Sequence, residues 1–144
     1  DKDLLHSSRK LNELSLKRIR ATPEGGGWKD WDEELVADCH KREGGKAYGS
    51  AYGRMSWDKV APTMTTYCNG YNNGRFGHPE QDRAISLREA AILQSFPKKY
   101  DFINPKIKFS SGRVAKQIGN AVPVKLGQAI AMSVKNHIEK YSNE

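Results

Sequence analysis

The end of the chain carries the pattern that most restricts how this sequence can fold. Over residues 123–140 apolar side chains recur at the three- and four-residue spacing of an amphipathic helix: Val124, Leu126, Ile130, Ala131, Val134 and Ile138. Pro123 stands where the first turn of a helix tolerates proline, because an N–H donor is not needed there. The sequence therefore predicts a long final helix whose apolar face must be covered by another element.

The composition raises the question of what covers that face. A chain of 144 residues is long enough to bury a core of its own. Only 37% of its residues are hydrophobic, however, and its mean hydropathy is -0.77. We expect either much exposed loop or a core that a partner completes. No apolar run approaches the ~20 residues that span a bilayer, so no membrane partner is expected.

The charge favours an anionic partner. The net charge is +7 and the isoelectric point is about 9.4, so polyanions such as nucleic acid are attracted to the chain. An inert basic protein is the alternative that charge alone leaves open. The two cysteines, Cys39 and Cys68, are too few for a disulfide framework, and with the histidines they lack the paired spacing of zinc sites. No metal is expected.

The middle of the chain, residues 46–82, is predicted to be loops with short strands. Residues 63–67 (Thr-Met-Thr-Thr-Tyr) form the best strand candidate, because they are β-branched and aromatic. Their hydroxyl groups suit contact with phosphates or base edges, although Pro62 would equally suit an edge strand. Arg54 lies among glycine and aromatic residues and is a candidate phosphate ligand, or else a surface arginine in a turn.

A clearer helix starts after Ser86. Ser86 and Glu89 have the spacing of a capping box, in which each side chain accepts a hydrogen bond from the other residue's backbone N–H, and Pro97 ends the helix. Arg83 and Arg88 could organise a DNA-binding surface or could equally form internal ion pairs with Glu80, Asp82 or Glu89. Ion pairing is the stronger alternative for Arg88.

A second turn lies just before the final helix. Gly119 and Asn120 separate two helical stretches, where a small polar ligand could approach the backbone. Judged by spacing alone, a turn that merely connects two helices is more common than a ligand-binding turn.

Taken in order, these clusters resemble the DNA cytosine-5 methyltransferase family. The run Arg83-x-x-Ser86-x-Arg88-Glu89, ending at Gln94-x-Phe96-Pro97, is similar to the ninth conserved block of that family, and Gln117-x-Gly119-Asn120-Ala121-Val122-Pro123 is similar to the tenth. The stretch Pro62-Thr63-Met64-Thr65-Thr66 resembles the threonine signature of the target-recognition domain. The resemblance implies a partial target-recognition domain over residues 1–82, and C-terminal helices over residues 83–144 that complete a catalytic domain. The expected fold class is an α+β fragment: a small irregular β-containing region, then helices of a Rossmann-like, S-adenosylmethionine-dependent domain.

The resemblance also implies roles for particular residues. Enzymes of this family flip cytosine out of DNA and methylate its carbon 5 with S-adenosylmethionine, after a cysteine thiolate attacks carbon 6. Contact with the cofactor is implied for Asn120, Ala121 and Val122; contact with double-stranded DNA for Arg54, Thr63, Thr65, Thr66, Tyr67 and Arg75; and structural bracing for Arg83, Arg88 and Glu89.

The family's Pro-Cys nucleophile and glycine-containing cofactor loop are not found in this sequence. Cys39 follows Asp38, and Cys68 follows Tyr67. We therefore expect a chain that is inactive alone and works with a catalytic portion, either as a piece of a longer enzyme or as a subunit of a split one; the first residue, which is not methionine, favours a piece. A bacterial, cytoplasmic, nucleoid-associated enzyme is expected. A non-enzymatic DNA-binding module and a scaffold protein are the alternatives.

Overall fold

The computed structural model describes residues 3–142, and helices are its regular elements. Short 3-10 turns at Trp28–Asp30, Glu33–Leu35 and Tyr71–Asn73 join some of them. The helices are α1 (Glu13–Arg20), α2 (Asp38–Lys41), α3 (Glu43–Lys46), α4 (Leu87–Leu93), α5 (Ser111–Asn120) and α6 (Val124–Tyr141).

The predicted β-containing region is not confirmed. Within residues 3–142 there is no β-strand, and the β-type pairing consists of isolated bridges at Gly77, to Arg54 and to Ala84. Residues 63–65 have no regular secondary structure, and the Cys68 amide donates to the Thr65 carbonyl at 3.0 Å. That hydrogen bond closes a local turn, so the segment does not run on as a strand.

The capping box at the start of α4 is confirmed. The Ser86 hydroxyl accepts from the Glu89 amide at 3.2 Å, and the Glu89 carboxylate accepts from the Ser86 amide at 2.6 Å. Two of the amides that a helix start leaves without an intrahelical partner are thereby satisfied.

One hydrophobic cluster lies under α4 and α5. Its members come from both sides of the predicted domain boundary between residues 82 and 83. That boundary stays a prediction. The buried members are Leu5, Met64, Cys68, Phe76, Ile85, Leu87, Ala90, Ala91, Val114, Ala115 and Ile118.

A second, more aromatic cluster lies under α1. It contains Ile19, Trp28, Trp31, Tyr71 and Ala84. The His40 ring of α2 stacks on Trp28, with centroids 4.3 Å apart. This stacking holds the short helices α2 and α3 against the cluster.

The predicted final helix is confirmed as α6. Its first turn is held by the Val124 amide, which donates to the Gln94 carbonyl at 3.3 Å, and by the Lys125 amide, which donates to the Ser95 hydroxyl at 3.1 Å. Beyond this anchor, α6 buries no residue along its 18 positions. Its apolar face is bare. None of the helices described combines the length and the apolar character needed to cross a membrane.

Candidate functional site

Residues 63–67 present hydroxyl groups to solvent and are here called the recognition segment, after the role that the sequence resemblance implies. Met64 and Cys68 are buried in the main core and fix the segment from beneath. Thr63, Thr65 and Tyr67 are exposed, and Thr66 is half-buried. The segment is therefore a firmly anchored surface loop whose polar side chains are free to meet a ligand.

The C-terminal end of α5 lies directly against this segment. Gly119 faces the peptide bond between Thr65 and Thr66 so closely that an added methyl group would overlap the Thr65 carbonyl and lie 2.5 Å from the Thr66 nitrogen. On the same side, the Cys68 thiol lies 3.9 Å from the Ala115 carbonyl of α5. The tenth-block sequence and the threonine signature are thus neighbours in the fold, which their separation in sequence does not reveal.

Residues 120–122 join α5 to α6 and are here called the cofactor corner, after the contact that the sequence resemblance implies. Asn120 and Val122 are exposed, the latter to 62%, and Ala121 is half-buried. Beneath the corner the Gln94 amide group donates to the Ile118 and Ala121 carbonyls, both at 3.0 Å. The structure holds the backbone of the corner rigidly and leaves its outer side open.

Arg54 is an internal brace, which corrects the expectation that it contacts DNA. Its side chain is 5% exposed. The guanidinium donates to the carbonyls of Ile19, Thr22, His78 and Gln81, and it pairs with the Asp82 carboxylate at 2.6 Å. These contacts use all of its donor groups, so Arg54 has none to offer a phosphate.

Arg83 and Glu89 form a two-pronged ion pair at the start of α4. Both guanidinium-to-carboxylate distances are 2.8 Å. Burial raises the pKa of Glu89, but the hydrogen bonds from Arg83 and Ser86 outweigh it and lower the pKa to about 2. Glu89 is therefore ionised at neutral pH and ties the loop before α4 to its first turn.

Arg88 ties the N-terminal segment to the loop after α4. It pairs with Asp3 at 2.7 Å and donates to the Tyr100 carbonyl at 2.9 Å. The Arg88 amide also donates to the Leu5 carbonyl at 3.0 Å. These contacts join three separate parts of the chain.

Arg75 has surroundings opposite to those of Arg54. It is exposed and makes no ion pair with the residues that the structure describes, and its aliphatic stem lies against Gly53. It lines a cleft of about 410 Å³ together with Lys29 and residues 25–27, which are all glycine. Sequence reasoning missed Lys29 as a candidate ligand; the adjacent glycine run was the signal that a backbone-lined cleft forms there.

The carboxylates of that cleft are occupied. Glu24 accepts from the Ser56 hydroxyl at 3.0 Å and from the Trp57 amide at 2.8 Å. Asp30 accepts from the Gly27 amide at 2.8 Å. The cleft thus contains two cationic side chains, Lys29 and Arg75, beside the acidic side chains of Glu24 and Asp30, and the cationic pair is what would attract an anion.

The two cysteines differ in environment. Cys68 is fully buried, and burial raises the pKa of its thiol to about 11. Cys39 is exposed, next to the stacked His40. A protonated, buried thiol such as Cys68 is a poor nucleophile.

The sequence is similar to known DNA methylases. A family model described as C-5 cytosine-specific DNA methylase matches residues 2–136. The chain is 60% identical over 138 residues to the Type II methylase M.HgiDII of Herpetosiphon aurantiacus, covering 95% of this chain and 38% of that protein. It is 34% identical over 127 residues to the Type II methyltransferase M.Sau96I of Staphylococcus aureus, covering 86% of this chain and 28% of that protein.

A plant protein is similar over the same region. DNA (cytosine-5)-methyltransferase 3 of Arabidopsis thaliana is 34% identical over 150 aligned positions, covering 90% of this chain and 10% of that protein. The chain spans less than half the length of each of these relatives.

Proposed function

We propose, since this chain belongs to the C-5 cytosine-specific DNA methylase family, that it is the C-terminal part of an enzyme that transfers a methyl group from S-adenosylmethionine to carbon 5 of cytosine in DNA. In this proposal the chain holds the DNA and closes one side of the cofactor pocket. The catalytic cysteine and the rest of the pocket belong to a catalytic portion outside these 144 residues.

The observation that carries the proposal is the bare face of α6 beside an open corner. A helix of this length gains most of its stability from packing of its apolar face, yet none of its 18 residues is buried. Exposed apolar faces of this size are interaction sites. We infer that the catalytic portion covers α6, and that α6 completes a Rossmann-like cofactor-binding domain.

The cofactor corner suits one wall of an S-adenosylmethionine pocket. Asn120 offers an amide that donates and accepts hydrogen bonds, and Val122 offers an apolar surface. The C-terminal end of α5 carries a partial negative charge, which favours the positive sulfonium and ammonium groups of the cofactor. When bound, S-adenosylmethionine supplies the methyl group; Asn120, Ala121 and Val122 hold and orient it from this side.

The DNA-facing role falls to the recognition segment and the glycine-lined cleft. Thr63, Thr65, Thr66 and Tyr67 have hydroxyl groups that donate to phosphates or base edges. Arg75, joined by Lys29, neutralises phosphate charge. Because the target cytosine must leave the base stack, the surface must also hold a distorted duplex, and the rigid anchoring of the segment suits that task.

Neither cysteine of this chain suits the nucleophile. Cys68 is buried in the core and the pKa of its thiol is raised, so it cannot reach a flipped base. Cys39 is exposed but follows Asp38, whereas the nucleophile of the family follows a proline. We therefore propose that the chain alone does not methylate DNA. The likeness to bacterial Type II enzymes supports an enzyme that works on bacterial DNA in the cytoplasm.

A graft tests this function. The segment of the Herpetosiphon aurantiacus methylase that aligns with this chain is replaced by this chain; the product is here called the graft enzyme. We expect the graft enzyme to transfer labelled methyl groups from S-adenosylmethionine to DNA. This chain alone and the truncated relative alone should both be inactive.

Two results would contradict the proposal. A graft enzyme that unfolds cooperatively and binds DNA, but transfers no methyl group, would favour the non-enzymatic DNA-binding module. Methyl transfer by this chain alone would show that the nucleophile lies within it. Thermal unfolding of the graft enzyme separates both results from simple misfolding.

A further inference from the structure

Gly119 occupies a position where no other residue fits without moving the backbone of another segment. The atoms that an added methyl group would meet are the Thr65 carbonyl and the Thr66 nitrogen, which are backbone atoms and not the flexible end of a side chain. Glycine is among the poorest residues for a helix, yet Gly119 lies inside α5, one residue before its end. Close approach of the recognition segment gives a physical reason for this glycine.

Gln94 secures the other side of the same junction. Its side chain is buried, and its amide group donates to Ile118 and Ala121, the residues that flank Gly119 and Asn120. Its backbone carbonyl accepts from the Val124 amide, where α6 begins. The cofactor corner is therefore clamped between Gln94 below and the recognition segment beside it.

We propose that Gly119 and Gln94 are positioning residues that hold the recognition segment and the cofactor corner in one fixed relation. The proposal rests on the function proposed above, in which the segment meets DNA and the corner meets the cofactor. Because close-packed contacts transmit strain, a ligand that holds one side of this junction in place also holds the other side. Binding of cofactor and binding of DNA should then favour each other through this contact, by the same factor in both directions.

The same helix supplies a matched control. Gly112 lies in the first turn of α5, and an added methyl group there would meet nothing within 4 Å. Gly119→Ala and Gly112→Ala are therefore the same chemical change on one helix. They differ in whether the new methyl group meets the recognition segment.

The experiment measures the DNA dissociation constant of the graft enzyme with and without saturating S-adenosylhomocysteine. We expect this compound to tighten DNA binding by about 5- to 150-fold in the unsubstituted graft enzyme. The ratio of the DNA dissociation constant without this compound to that with it should fall to within about twofold of unity in Gly119→Ala. The same ratio should stay unchanged in Gly112→Ala. S-adenosylhomocysteine affinity without DNA should change by less than about threefold in Gly119→Ala, whereas kcat should fall.

The outcomes are separable. Equal ratios in Gly119→Ala and the unsubstituted graft enzyme would overturn the inference, as would a ratio of one in the unsubstituted enzyme. A graft enzyme that binds neither DNA nor S-adenosylhomocysteine would instead overturn the proposed function, and this inference with it. If Gly119→Ala does not fold, Gln94→Met is measured instead. This substitution keeps the side-chain length but removes both amide donations. An undiminished ratio of dissociation constants in Gln94→Met would contradict the inference.

Discussion

Arg54 and Arg75 carry the same charge, but the fold gives them opposite surroundings. Arg54 is buried among backbone carbonyls and Asp82, and Arg75 extends over the glycine-lined cleft. Removing the Arg54 guanidinium leaves the buried carbonyls of Ile19, Thr22 and His78 without that donor. Removing an exposed cation leaves the fold almost unchanged.

Substitution of each arginine by methionine should separate stability from DNA binding. Arg54→Met should lower the free energy of unfolding by about 1–3 kcal/mol, the cost of leaving buried hydrogen-bond acceptors without a donor. Arg75→Met should change it by less than about 0.5 kcal/mol and weaken DNA binding by the graft enzyme. Urea unfolding and DNA titration measure the two effects. Loss of stability in Arg75→Met, or a fully stable Arg54→Met, would contradict the assignment.

Glu89 gives a prediction about pH. Its pKa is lowered to about 2 in the folded chain, from 4.5 as the ordinary value. A lowered pKa stabilises the fold at pH values above the ordinary value, and that contribution is lost as the pH falls toward the folded value. Glu89→Gln should therefore cost about 1–2 kcal/mol at neutral pH, after allowance for partial solvent exposure.

The cost of Glu89→Gln should shrink as the pH falls from about 4.5 to about 2, because Glu89 is protonated in the unfolded chain first and in the folded chain only near pH 2. Urea unfolding at several pH values measures the difference in the free energy of unfolding between the unsubstituted chain and Glu89→Gln. Glu139→Gln is the control, since Glu139 forms only an exposed pair with Lys135 at 3.6 Å and should show no measurable change. A constant cost at every pH would show that Glu89 acts through packing and not through charge.

Residue roles were predictable from the sequence where the partners are local. The ion pair of Arg83 and Glu89 joins residues six apart, within one motif. The partners of Arg54 are carbonyls of Ile19, Thr22 and His78, which lie 24 to 35 residues away. Backbone carbonyls have no sequence signature, so the burial of Arg54 could not be foreseen from its neighbours.

Among the elements, helices with local end signals were the predictable ones. The capping box at Ser86 defined the start of α4, and the apolar period after Pro123 defined α6. The strand predicted over residues 63–67 was not found, because a strand needs a neighbouring partner and the Thr65 carbonyl instead closes a turn. β-Branched residues favour extended backbone but do not supply that partner.

The bare face of α6 yields a prediction at this scale. Val134→Gln combined with Ile138→Gln should leave the isolated chain as stable as before, within about 1 kcal/mol, because neither side chain is buried in it. In the graft enzyme the same pair should cost several kcal/mol, since two apolar side chains lose a covered site.

Thermal unfolding of both proteins checks the prediction about α6. Asn136→Gln, which changes an exposed residue on another side of the same helix, should leave both proteins unaffected. Equal stability of the graft enzyme with and without the two substitutions would show that the catalytic portion does not cover this face. A destabilised isolated chain would show that α6 already packs on the described fold.

For the whole molecule, the sequence predicts an anionic partner from the charge but does not predict the arrangement of surfaces. The net charge is +7, and the lean composition predicts either much exposed loop or a core that a partner completes. The sequence does not show that the recognition segment rests on Gly119, because that contact joins residues more than 50 positions apart. Contacts of this kind depend on the packing of the core between them.

Net charge and local geometry make different predictions about salt. If the overall field of the chain attracts DNA, each lysine matters about equally wherever it lies. If phosphates sit in the glycine-lined cleft, Lys29 matters far more than Lys135, which lies on α6. Lys29→Gln and Lys135→Gln remove the same single charge, so comparing them isolates position from charge.

We expect Lys29→Gln to reduce the slope of log affinity against log salt by about 0.9, the value for one released counterion, and Lys135→Gln to leave it unchanged. DNA titrations of the graft enzyme at several salt concentrations provide the slopes. Equal changes for the two lysines would mean that the cleft holds no phosphate and that the net charge alone attracts DNA. A smaller slope for Lys29→Gln alone would indicate that Lys29 contacts a phosphate at the glycine-lined cleft.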